Sequence, residues 1–127
     1  MKIAEVAECL DGQLLVPGRE PERHVGHVVA SDLMSDVLVI DTDDILLVTS
    51  LASDQVLRTA HIVGAMGVVV SNGKPLPSTM REVARDLGMA LVTAPKPKYE
   101  NCVRLHAALD AGGNAGDADG KRQHQAR

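Results

Sequence analysis

Residues 45–73, ILLVTSLASDQVLRTAHIVGAMGVVVSNG, constrain the fold more than any other stretch of the chain. Residues 45–48 form a continuous aliphatic run, the pattern of a strand covered on both faces. A polar turn follows at 49–53, and Ser53 stands where a helix N-cap accepts from an early backbone N–H. Val56, Leu57, Ala60 and Val63 then recur at helical spacing, with Gly64 and Gly67 as candidate stops. Residues 68–70 are a second buried strand, closed by a second polar turn. Strand, helix and strand over this length make a βαβ crossover, which is right-handed and sets the two strands parallel.

The flanking segments extend the same pattern. Ile3, Val6, Ala7 and Leu10 mark an amphipathic helix that Gly12 closes. Residues 13–16 are a short strand and 17–23 a loop. Residues 25–31 read as a strand with Val25 and Val29 on one side, ending where Ser31 or Asp32 caps a short helix. Residues 37–40 fit helix or strand; helix is favoured, because 41–44 looks like the turn into the next strand. Beyond the central unit, Ser78 caps a helix with Met80, Val83, Ala84 and Leu87 inward and Gly88 as its stop. A third buried strand at 89–92 leads to the loop TAPKPK, then to a last helix over about 99–109. Cys102, Val103, His106 and Leu109 form its stripe. Residues 1–110 thus form one α/β domain with a small, mostly parallel sheet and flanking helices. Residues 111–127 lack periodicity and read as a disordered tail.

Composition narrows the function. With no Trp or Phe and Tyr99 as the one aromatic residue, the core is aliphatic. The −4 of the whole chain, less the +1 of the tail, leaves −5 on the body. An acidic body with one aromatic ring has neither the charge nor the stacking platform for nucleic acid. No apolar run of membrane-spanning length is present, and the first residues lack a signal-peptide core, which predicts a soluble, cytoplasmic protein. Cys9 and Cys102 make neither a disulfide framework nor a zinc site and read as reduced, packed thiols.

The residue patterns contain no catalytic signature. Gly73-Lys74 follows a strand, but a phosphate loop needs glycine at position 68, where Val68 stands, and Ser or Thr where Pro75 stands. Asp41, Asp43 and Asp44, with Asp32 and Asp36, read as a solvated turn and a helix cap rather than a magnesium site. His24 and His27, three apart on a strand, point to opposite faces and cannot share a metal. Cys102 and His106 share a helix face but lack a second pair to complete a tetrahedron. Ser50 has no flanking glycines and no suggested base. No catalytic residue, metal or cofactor is assigned. Ligands in open α/β sheets collect beyond the carboxyl ends of strands. The candidate ligand-binding residues are therefore Thr49, Ser50 and Ser53, which could also hold an anion at the helix N-terminus, and Ser71, Asn72, Gly73 and Lys74.

Several stretches together resemble the DRTGG domain over about residues 1–109: KIAEVAECLDGQLL, VVASDLMSDVLV, LLVTSLASDQVLRTA, GVVVSNGK and LVTAPKPKYENCVRL. SDLMSDVL and the Gln55–Ala60 helix look most like free-standing members of that family. Such domains also occur joined to CBS domains, in some phosphotransacetylases and in some family II pyrophosphatases. They are related in fold to the amino-terminal domain of HPr kinase. The resemblance implies a non-catalytic regulatory or docking module, often dimeric. The family's Gly-Asp-Arg after the first central strand is replaced here by Ser50-Leu51-Ala52, so the Asp and Arg are missing. Its Thr-Gly-Gly after the second becomes Ser71-Asn72-Gly73.

The combined expectation is a regulatory or protein-interaction module that self-associates, as a homodimer, and acts on a partner protein. Leu33, Met34 and Val37 are its candidate dimer contact, against ordinary core packing. The alternative is a sensor of a nucleotide or phosphorylated metabolite at the strand ends.

Overall fold

The structure, a computed structural model, describes residues 1–117, with side chains through residue 111. Helices and strands alternate as α1 (Ile3–Cys9), β1 (Gln13–Pro17), β2 (His27–Ala30), α2 (Met34–Val37) and β3 (Ile45–Thr49). They continue as α3 (Asp54–Ile62), β4 (Gly67–Val70), α4 (Ser78–Leu87), β5 (Ala90–Thr93) and α5 (Lys98–Asp117). The strands form one sheet in the order β1-β5-β4-β3-β2. β2, β3, β4 and β5 are mutually parallel, and β1 joins β5 antiparallel. The expected α/β fold with a mostly parallel sheet is the observed one.

The sheet is covered on both sides, which is why its central strands are aliphatic throughout. All five residues of β3 are buried. Their alternation divides them between two cores. Ile45 and Leu47, with Val68, Val70 and Leu91, meet Val56, Leu57 and Ala60 of α3 and Met80 and Ala84 of α4. Leu46 and Val48, with Val69 and Val92, meet Ile3, Val6 and Leu10 around α1 and Leu105 of α5. Each fully buried Val, Leu, Ile or Met among them contributes about 1.5–3 kcal/mol by leaving water. A register shift between Leu14 and Val16 lets Leu15 and Val16 both serve the α3–α4 side.

Several local expectations are corrected. Val25 and Val29 do not share a face: β2 begins only at His27, and Val25 packs on the α1–α5 side while Val29 packs on the other. The segment before β2 is tied instead to the chain start, by Val25 N–H to the Met1 carbonyl at 2.8 Å and a bridge between Lys2 and His24. His24 is therefore outside β2. The inward stripe of α5 is Asn101 and Leu105, both buried, with the half-buried Cys102 and Leu109, whereas Val103 and His106 are exposed. Gly64, at φ 76°, is the stop of α3, and Gly67 is already the first residue of β4. Asp11, at φ 54°, takes the left-handed position after α1. Gly12 serves another need, since a Cβ there would sit 2.1 Å from the Thr93 carbonyl oxygen.

Pro77 rather than Ser78 is the N-cap of α4, a one-residue difference, and Ser53 occupies the N-cap of α3 without a side-chain bond. α2 ends at Val37 and passes into a turn closed by Ile40 N–H to the Val37 carbonyl at 3.1 Å, so 37–40 is not a strand. α5 continues to Asp117, past the expected end at Leu109, and residues 118–127 of the expected tail lie outside the described residues. Among the described residues no helix is long and apolar enough to cross a membrane.

Candidate functional site at the carboxyl edge of the sheet

The parallel strands β3, β4 and β5 deliver their following loops to one edge, and those loops are bonded to one another. Thr49, fully buried at the end of β3, donates its hydroxyl to Asp32 Oδ1 at 2.8 Å and accepts the Leu51 N–H at 3.2 Å. The Ser50 N–H donates to the same Asp32 oxygen at 2.7 Å. Lys98 Nζ, from the first turn of α5, donates to Asp32 Oδ2 at 2.9 Å. Partial burial pushes the Asp32 carboxyl up, but the Ser50 N–H, Lys98 and Thr49 more than offset it and lower the pKa to about 2. Asp32 is thus neither a helix cap nor part of a metal cluster. It is the anion that joins the β2–α2 loop to β3 and α5, while Ser31 Oγ accepts the Leu33 N–H at 3.0 Å.

A second set of bonds lies one strand over. Ser71 is fully buried; its N–H donates to the Thr49 carbonyl at 2.8 Å, and its Oγ accepts Asn101 Nδ2 at 2.8 Å. Asn101 Nδ2 also reaches the Lys96 carbonyl at 3.1 Å, which fixes the orientation of the amide. Asn101 Oδ1 is then left buried without a hydrogen-bond partner among the described residues. Asn72 and Gly73, both at positive φ, turn the chain so that their N–H groups donate to the Lys96 and Ala94 carbonyls at 2.8 and 2.9 Å.

The predicted ligand-binding residues therefore separate. Thr49 and Ser71 are buried and spent on internal bonds. Ser50, Asn72 and Lys74 meet at the surface, with Asn72 Nδ2 to Ser50 Oγ at 3.3 Å and Lys74 Nζ to the Ser50 carbonyl at 2.6 Å. Ser53 makes no side-chain cap bond and is not joined to them. Gly73 and Lys74 also line an open cleft of about 360 Å³, with Asp11, Ser78, Arg81 and Pro95. Asp11 is balanced by Lys96 at 3.1 Å and Arg104 at 3.3 Å, and the Lys96 hydrogen bond and charge hold its carboxyl below the usual range. Among the described residues no carboxylate lies within ion-pair distance of Lys74 or Arg81. The cleft thus presents two unneutralised cations beside the start of α4.

Sequence reasoning missed Lys98, Asn101 and Arg81, and gave Asp32 a different role. Asn101 carried a usable signal: an amide on the otherwise apolar inward face of an amphipathic helix. The others are joined only by folding.

The remaining candidates form no constellation. Among the described residues no three His, Cys, Asp or Glu side chains are grouped to hold a metal. Asp44 pairs with Arg23 at 2.6 Å, and His27 Nδ1 lies 3.0 Å from the Asp43 carbonyl. Cys9 and Cys102 are free and half-buried, and burial pushes both thiols up. Of the expected dimer contact, Val37 is 1% exposed and Met34 packs on the core, while Leu33 is 58% exposed beside Leu38 at 50% and Val39 at 79%.

No known family model matches the chain, and no curated protein does. Among solved structures it is similar to the CBS and DRTGG domains of the regulatory region of Clostridium perfringens pyrophosphatase, complexed with its activator, diadenosine tetraphosphate. The match has a TM-score of 0.64 at 13% identity and covers 80% of this chain. This chain spans 44% of that one. At that identity the likeness speaks to architecture alone: the chain has a DRTGG-like α/β fold.

Proposed function

We propose that the chain is a non-catalytic regulatory module whose input is a small phosphorylated ligand, a nucleotide or a metabolite, held at the carboxyl edge of the sheet. The observation that carries this reading is the cleft in which Lys74 and Arg81 stand without carboxylate partners among the described residues, on an otherwise acidic body. Phosphate oxygens would supply the missing counter-charge. The uncapped start of α4 at Ser78 adds backbone donors on the same wall. The pyrophosphatase regulatory region, with its nucleotide activator, supports a ligand of this class. Ser50 and Asn72 lie behind Lys74 rather than on the cleft lining: the Ser50 carbonyl accepts from Lys74, and Ser50 Oγ accepts from Asn72.

Thermal unfolding against nucleotides and phosphorylated metabolites, with and without Mg²⁺, tests the reading. A ligand at a hundred times its Kd adds about 2.7 kcal/mol, which raises the midpoint of a domain this size by roughly ten degrees. A flat response across the panel contradicts it.

The output of such a module is a protein contact, and the exposed Leu33, Leu38 and Val39 favour the surface around α2 for self-association. Sedimentation should then show a dimer that Val39→Asp disperses; a monomeric parent protein removes this second reading.

A further inference from the structure

The amino edge of the parallel strands, opposite the loops above, carries another concave surface. β1 ends at Pro17 against Ala90, the first residue of β5, and α4 stops at Gly88 just before it. Arg19 leaves the first of these elements and Arg85 stands on the last turn of the second. The Arg19 N–H donates to the Gly88 carbonyl at 3.1 Å. Its guanidinium lies across Gly88, where a Cβ would come within 2.6 Å of the guanidinium carbon. An open cleft of about 370 Å³ adjoins it, formed by Val16, Pro17, Gly18 and Gly88 with Arg19 and Arg85. A smaller cavity of about 130 Å³ shares Arg19 and Gly88 and reaches the apolar Ile3, Met66 and Met89.

Neither Arg19 nor Arg85 has a carboxylate within ion-pair distance among the described residues. Neighbouring Arg23 shows the contrast: it is taken up by Glu20 at 2.8 Å and Asp44 at 2.6 Å. Two free guanidiniums thus border one largely apolar hollow in a body of net negative charge. Guanidinium forks match planar or tetrahedral oxyanions, and pockets that hold small molecules combine an apolar floor with a few convergent polar groups.

We propose that the cleft around Arg19 and Arg85 binds a small organic oxyanion, a carboxylate or phosphate on a short apolar body. The guanidiniums take the oxyanion, and Val16, Pro17 and the backbone at Gly88 take the body. This site is separate from the carboxyl-edge cleft and does not depend on it.

The test is a ¹H–¹⁵N NMR titration of the full chain with hexanoate, hexyl phosphate and inorganic phosphate at fixed ionic strength. One of the two hexyl probes should give saturable shifts at the amides of Gly18, Arg19, Gly88 and Met89, and which one binds identifies the oxyanion. Arg19→Gln and Arg85→Gln should each weaken that Kd roughly tenfold, the loss of one charge-assisted hydrogen bond, with the rest of the spectrum unchanged. Three outcomes overturn the proposal: no saturable shift with either hexyl probe, affinity unchanged from the parent protein in both variants, or inorganic phosphate binding as tightly as hexyl phosphate. Shifts confined to Lys74 and Arg81 overturn it as well.

Discussion

The two edges of the sheet are built from the same parallel strands and solve opposite problems. At the carboxyl edge, long polar loops meet over buried strand ends, and their hydrogen-bonding groups must be paired. Thr49, Ser71, Asp32 and Asn101 do this with bonds of 2.7–2.8 Å from Ser50 N–H, Thr49 and Asn101. At the amino edge, the connection from α3 into β4 and that from α4 into β5 are sharp and turn at Gly64 and Gly88, both at positive φ. Little polar surface is buried there, and among the described residues Arg19 and Arg85 have no carboxylate partner, unlike Arg23. At the carboxyl edge Lys74 is tied to a bonded network while Arg81 stands outside it, and at the amino edge Arg19 rests on the backbone of Gly88.

The comparison is broken most sharply by its glycines. Gly12→Ala places a Cβ 2.1 Å from the Thr93 carbonyl oxygen, and backbone in a paired strand cannot yield. Gly88→Ala meets only the end of the flexible Arg19 side chain, though at φ 71°. Urea unfolding should show losses of about 3 kcal/mol or more for the first, as severe overpacking gives, and about 1 kcal/mol for the second, from the left-handed backbone alone. Equal losses would mean that the carboxyl edge is no tighter than the amino edge.

Asn101→Ala should cost about 2 kcal/mol, because it strands the buried Ser71 hydroxyl without its donor and leaves the Lys96 carbonyl with only the Asn72 N–H. Arg19→Ala, at an exposed site, should stay within about 0.5 kcal/mol. A neutral Asn101→Ala would show that the amide is not what closes the network.

A smaller effect is set by pH. The Asp32 pKa is lowered in the folded state, to about 2, so the unfolded chain takes up the proton first. Its contribution to stability is fully present above about pH 5 and is lost as the pH falls toward 2. Asp32→Asn should flatten the acid limb of a stability–pH curve relative to the parent protein, and an unchanged limb would place the titration elsewhere.

The fold was legible where one physical pattern dominates. β3 and β4 are aliphatic without a break because both faces are covered, and α3 and α4 keep helical spacing between clear stops. It was less legible where tertiary contact overrides local pattern. Val25 alternates correctly with Val29, yet the chain before His27 bonds to the chain start instead of extending the strand. On α5, Val103 looked inward by hydrophobicity, while the seam is held by an amide, Asn101, because it must answer Ser71. The strand-end location of the candidate site followed from topology alone, but Asp32 and Arg81 come to it from 18 residues before Ser50 and seven after Lys74. Spacing along the chain carries no trace of such meetings.

The measurement that tests the central claim most directly is an NMR titration with inorganic triphosphate, read at every backbone amide. Saturable shifts should appear at Gly73, Lys74, Ser78 and Arg81 and be lost in Lys74→Ala and Arg81→Gln, both exposed positions whose replacement leaves stability within about 0.5 kcal/mol. Shifts that never saturate, or that persist unchanged in both variants, would contradict a ligand site at the carboxyl edge.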